Sequence, residues 1–135
     1  MREHMGLFRG KIRIIDEWVE GSLLKYPDGD CYICRPSDDP AVLDKYDVDT
    51  DTVGECTGLR DKNGKLIFEG DIVDHHVQGN ILVNRGVIVW DAKNGRWAHK
   101  LNTMEPCLFM FNSTAWEIIG NIHDNPELLE VGDDG

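Results

Sequence analysis

Three groups of side chains in this 135-residue chain have types and spacings that could do chemistry. Cys31 and Cys34 have the spacing of half a structural zinc site or of a redox dithiol. Cys56 and Cys107 bring the total to the four thiolates that a closed zinc site takes. The second pair lacks any such spacing, however, and in an extended strand residues three apart point to opposite faces. Four reduced cysteines, mostly buried, are the better expectation.

Asp47, Asp49 and Asp51 share one face if their segment is extended, which would suit a divalent cation or a basic partner. A calcium loop starting at Asp47 would need glycine at its sixth place and a bidentate glutamate at its twelfth, where Thr52 and Gly58 stand. The favoured reading is a solvated acidic face. His75 and His76 are adjacent, so in a strand their imidazoles diverge and cannot share a metal unaided. His4 and His99 have no partner nearby in sequence, and no Gly-x-Ser-x-Gly, Gly-Lys-Ser/Thr or His-Glu-x-x-His pattern occurs. No catalytic, cofactor-binding or metal residue is therefore assigned, and no cofactor is expected.

The formal net charge is −11, and it is uneven: nine acids between Asp28 and Glu55 face only Arg35 and Lys45, a local −7. Such a surface repels phosphate backbones and disfavours general nucleic-acid binding. Arg2, Arg9, Lys11 and Arg13 run against this trend; they could meet the acidic segment of a neighbouring copy, or form an ordinary mixed surface. No apolar run approaches the roughly 20 residues of a membrane-spanning helix. The first eleven residues lack the apolar core of a secretory signal, so a cytoplasmic protein without a membrane partner is expected.

The elements that must position these groups read as mostly strand. Asn63-Gly64 between Leu59 and Leu66-Ile67-Phe68 predicts a hairpin with a primed turn, and Glu69-Gly70-Asp71 predicts a sharp turn into Ile72. Lys11–Ile15, Trp18–Leu24 and Cys31–Cys34 read as strands, the last two joined by a turn at Tyr26–Asp30. Ile72–Val77 and Asn80–Trp90 bracket Gln78-Gly79, while Trp90 and Trp97 flank a second Asn-Gly turn. Trp116–Ile122 is a strand whose Gly120 suggests a bulge. A short helix is expected from Asp39 to Tyr46, capped by Asp39 with Pro40 at its first position, and another after Asn125-Pro126. Leu101–Asn112 is apolar and resists assignment. Its Met104, Leu108, Phe109, Met110 and Phe111 suit a buried strand or a subunit contact. The fold expectation is mainly β with some helix: a bent sheet or SH3-like β-barrel over residues 56–131, a smaller α+β part over 1–55 and a frayed acidic tail over 132–135.

With those segments in view, a resemblance can be named. Thr52–Leu59, Asp61–Lys65, Ile67–Val73 and Glu117–Leu129 resemble, in order and spacing, the signatures of the YopX family, and Trp18–Leu24 resembles its N-terminal motif. The resemblance implies a phage- or prophage-encoded protein of a family without an established activity, and a β-barrel-like body with a smaller α+β part that assembles into homo-oligomers. Within the signature, His123 occupies a position that an aromatic can fill, which makes it a packing residue. Gly58, Gly64, Gly70 and Gly120 read as backbone corners, and Trp18, Trp90, Trp97 and Trp116 as core or interface.

The leading functional expectation is a non-enzymatic, self-assembling protein that acts by binding a host or phage protein. One alternative is a nucleic-acid role, either single-strand binding by a small barrel or acidic mimicry of DNA against a host protein. The other is an enzyme whose metal site lies between subunits, around Asp47–Asp51.

Overall fold

The computed structural model describes residues 6–77, 81–100, 107–108 and 115–130. Within them the chain is built almost wholly of antiparallel strands, with ten in sequence order: β1 Phe8–Ile12, β2 Trp18–Lys25, β3 Cys31–Pro36, β4 Leu43–Arg60, β5 Leu66–Phe68, β6 Asp71–Val77, β7 Ile81–Asp91, β8 Arg96–Lys100, β9 Cys107–Leu108 and β10 Trp116–Asn121. Two compact units divide the chain between Cys56 and Thr57.

In the first unit the pairings run β1-β2-β3-β4, and β1 also pairs with β4. Phe8 faces Gly21 on β2 and Glu55 on β4, while Cys31–Pro36 zips against Leu43–Val48. Val19, Cys31, Ile33 and Val48 form the buried core, with Phe8, Ile12, Leu23, Tyr46 and Val53 packed around it. Burying each such Val or Ile contributes about 2 kcal/mol. The first strand starts earlier than the alternation of Lys11–Ile15 suggested. Arg13–Ile15 form a turn in which Asp16 takes a φ of 60°, and Ile14 and Ile15 lie exposed.

No helix forms at Asp39–Tyr46. Asp39 Oδ1 accepts the Ala41 N–H at 2.9 Å, Val42 N–H reaches the Asp39 carbonyl at 2.9 Å, and the Ser37 hydroxyl donates to the carbonyls of Asp39 and Val42. The capping signal is thus spent on a closed loop, and Leu43–Tyr46 are taken up by pairing with β3. The expected α+β N-terminal part has only strands and no helix among its described residues.

In the second unit, residues 57–60 end β4, which pairs with β5, and a sheet runs in the order β10-β6-β7-β8-β9. Its core is Ile67, Val73, Ile88 and Trp116, with Leu59, Trp97, Ala115 and Ile118 against it. The expected barrel is not evident among the described residues. The outer side of β10 is met by a turn instead of a strand: Lys62 N–H donates to the Trp116 carbonyl at 2.8 Å and Ile118 N–H to Asp61 Oδ2 at 3.0 Å. The Asn63-Gly64 hairpin forms, but not with a primed turn. Only Gly64 has a positive φ, 83°, and the Asp61 carbonyl accepts Gly64 N–H at 3.0 Å, a common turn followed by a left-handed glycine. The Asp91–Arg96 turn is one residue longer: Asn94 N–H closes on the Asp91 carbonyl at 3.3 Å, and Gly95 follows with a φ of 64°.

The Glu69-Gly70-Asp71 corner turns as its sequence suggests, with Asp71 Oδ2 accepting the Phe68 N–H at 2.8 Å. The β10–β6 register slips between Ile118 and Gly120, a bulge at the expected glycine. The expected C-terminal helix is a single 3-10 turn at Pro126–Leu129 with no buried residue. Asn125 does not cap it, because its side chain accepts the Asn121 N–H at 3.2 Å. Residues 132–135 lie outside the described residues, as does Leu101–Asn112 apart from β9.

Candidate functional site

The densest collection of polar and aromatic groups lies in the second unit, on four neighbouring strands. Pairing of β10 with β6 sets Trp116 opposite His75, and their rings stack at 4.5 Å with an interplanar angle of 9°. His99 arrives from β8 and meets the same indole edge-on at 4.7 Å and 83°. It is 2% exposed. His99 Nε2 donates to the Val73 carbonyl at 3.3 Å, which fixes the neutral ring as the Nε2–H tautomer. To do so it passes over Gly86 on β7, where a Cβ would stand 2.9 Å from Nε2 and 2.5 Å from the Lys100 carbonyl oxygen.

Asp74 falls between Val73 and His75 on β6 and so points to the opposite side of the strand. There it meets Arg85 as a two-pronged ion pair, Nε to Oδ1 at 2.6 Å and the second nitrogen to Oδ2 at 3.0 Å. The hydrogen bond to Asp74 holds the Arg85 guanidinium above its ordinary value. Burial holds the His99 imidazole below its own, offset in part by the hydrogen bond to the Val73 carbonyl and more weakly by Asp74. The result is a neutral imidazole packed on an indole, with its one N–H already committed. Such a cluster can exchange a proton, but no nucleophile is seen beside it among the described residues.

The residues singled out in the sequence are scattered. Cys31, Cys34 and Cys56 are buried and in no disulfide, and Cys31 belongs to the core of the first unit. Asp47 is engaged by Arg13 at 3.1 Å. Asp49 accepts the Asp51 N–H at 3.1 Å, and the β1–β4 register shifts beside it, so the simple alternation that aligned three carboxylates is interrupted. Of the basic residues near the start, Arg2 lies outside the described residues, while the others fold back on their own chain: Lys11 lies 3.4 Å from Asp16, and Arg9 and Lys11 sit over the Trp18 ring. His76 follows a register shift that separates it from His75. His123 is half-buried beside the Asn121 side chain, which accepts its N–H, and His4 is outside the described residues. No cluster of three or more metal-ligating side chains occurs among the described residues, and no described helix is long and apolar enough to cross a membrane.

The model of the family described as YopX protein matches residues 7–130. The chain belongs to the YopX family. Protein EF1440 from Enterococcus faecalis, in its crystal structure, is similar at 25% identity and a TM-score of 0.55, with 95% of this chain and 100% of that one covered. Protein yopX from Bacillus subtilis shares the fold at 21% identity and a TM-score of 0.55, covering 93% and 96%. No curated protein matches.

The YopX match spans both units and takes in the whole His75–Trp116–His99 cluster. Sequence reasoning missed that cluster because its three members come from three strands and share no local pattern. It also missed Asp61, 2% exposed, whose Oδ1 accepts the N–H groups of Asn63 and Lys65 at 2.9 Å each. An aspartate opening a glycine turn is a legible signal for those two bonds.

Proposed function

We propose that this YopX-family chain is a non-enzymatic protein of a phage or prophage, working in the bacterial cytoplasm by assembling with itself and binding a host or phage protein. The observation that carries this reading is where apolar side chains remain uncovered. Val77 and Ile81 face each other at the end of the β6–β7 pair, and with Leu82 they are 38%, 55% and 49% exposed. Three large aliphatic groups adjoining on one hairpin suit a protein contact better than solvent. The polar groups that chemistry would need are, by contrast, spent on internal bonds: Asp61 on a turn, Asp74 on Arg85 and His99 on Val73.

The test is light scattering during size exclusion at micromolar concentration, on the full chain and on Ile81→Glu/Leu82→Glu. An oligomer that the double substitution dissociates supports the reading. A monodisperse monomer in the unsubstituted chain removes the self-assembly half, and a tagged chain that then captures no protein from the bacterial host removes the rest.

A further inference from the structure

Every histidine among the described residues, namely His75, His76, His99 and His123, lies in the second unit, and residues 6–56 contain none. Between pH 5 and 7 ordinary imidazoles are the side chains that change charge. Of the four, His99 is the one sealed in the sheet. Its ring spans four strands: it stands on β8, bonds the Val73 carbonyl of β6 across Gly86 of β7, and braces Trp116 of β10.

A second proton on that ring would place a cation among Val73, Trp116 and the strand backbones, in surroundings that already disfavour the charged form. Hydrogen bonds to the Val73 and Gly86 backbones favour the cation without outweighing its burial, and the charged groups around it add little. On β6, Asp74 favours the cation but is held by both prongs of Arg85 from β7, and His75 opposes it. On β10, Glu117 beside Trp116 is engaged by Lys62 at 3.6 Å, and on β9 the residue opposite His99 is Cys107.

We propose that the second unit is the proton-responsive half of this molecule, its sheet closed while the His99 ring is neutral and loosened when that ring is protonated at mildly acidic pH. The inference does not depend on the assembly reading. The linkage has a definite sign. An imidazole in the unfolded chain takes up its proton near pH 6.5, whereas the folded ring resists until lower pH. The stabilisation is therefore complete above about 6.5 and is lost as pH falls through the folded value, by up to about tenfold in the unfolding equilibrium per pH unit.

The experiment is NMR of the full chain from pH 7.5 to 5, following the histidine rings and the amides of both units. The expected result is that His99 keeps its neutral signal until the amides of β6, β7, β8 and β10 weaken together, while those of Ile33 and Val48 in the first unit persist. In His99→Gln, whose side-chain N–H can still reach Val73, the second-unit amides should survive the same titration; in His75→Gln they should not. Free titration of His99 near pH 6.5 with the sheet intact would overturn the proposal. So would an acid response that persists in His99→Gln. Should that variant fail to fold, the ring titration of the unsubstituted chain decides alone.

Discussion

Replacing Asp61 by alanine strips acceptors from three N–H groups, those of Asn63, Lys65 and Ile118. Hydrogen bonds to an ionised acceptor are worth about 1.5–3 kcal/mol each, and the orphaned donors carry a further cost, so a loss of at least about 3 kcal/mol is expected in urea unfolding. Asp61→Asn keeps one acceptor and sets an amide N–H against Ile118, and should fall between the two. Arg13→Ala makes the opposite case: its pair with Asp47 is about half exposed on both sides, so unfolding should shift by less than about 1 kcal/mol. Burial and partner number separate these two aspartates, and neither is visible in the letters alone. Asp61 was legible as a turn opener, since aspartate before Asn-Gly bonds its own loop, while its bond to Ile118, 57 residues away, was not.

At the scale of the strand, Gly86 governs how closely β7 approaches β8. A methyl there would stand 2.5 Å from the Lys100 carbonyl oxygen, a backbone atom that cannot swing aside, and 2.9 Å from the His99 ring. Gly86→Ala should destabilise the second unit by about 1–3 kcal/mol, read as earlier loss of its amide protection in hydrogen exchange. Hairpins were the legible part of the fold, because glycine corners and alternation are local signals. The β2–β3 turn, the Asn63-Gly64 and Asn94-Gly95 hairpins and the Gly120 bulge all stand where such signals lie. The helix expected at Asp39–Tyr46 failed for a related reason. A capping aspartate followed by proline also fits a closed loop, and what chose between them was β3, which offered Leu43–Tyr46 a pairing partner. Strand order is a long-range property, so the order β10-β6-β7-β8-β9 of the second unit could not be read from sequence.

For the whole molecule the net charge of −11 sets the behaviour toward polyanions. The chain should show no gel shift of a single-stranded oligonucleotide at physiological salt, and a salt-sensitive shift would instead favour the nucleic-acid alternative. The charge arithmetic was readable at once, whereas the fate of the basic residues was not. Arg9, Lys11 and Arg13 are drawn onto Trp18, Asp16 and Asp47 of their own chain. The candidate site was the least legible feature, since Trp116 joins His75 and His99 only after four strands have been laid side by side. Family membership, carried by turns, reached the architecture without reaching those side chains.

The turn at Asp61-Lys62 that occupies the flank of β10 has one more effect. By holding the N–H of Ile118 and the carbonyl of Trp116, it leaves that border of the sheet without the free ladder that a foreign strand would need in order to dock. Copies of this chain that come together are thereby kept from stacking end over end into fibres on that side, and the Asp61→Ala form, with this guard removed, should be the one that aggregates.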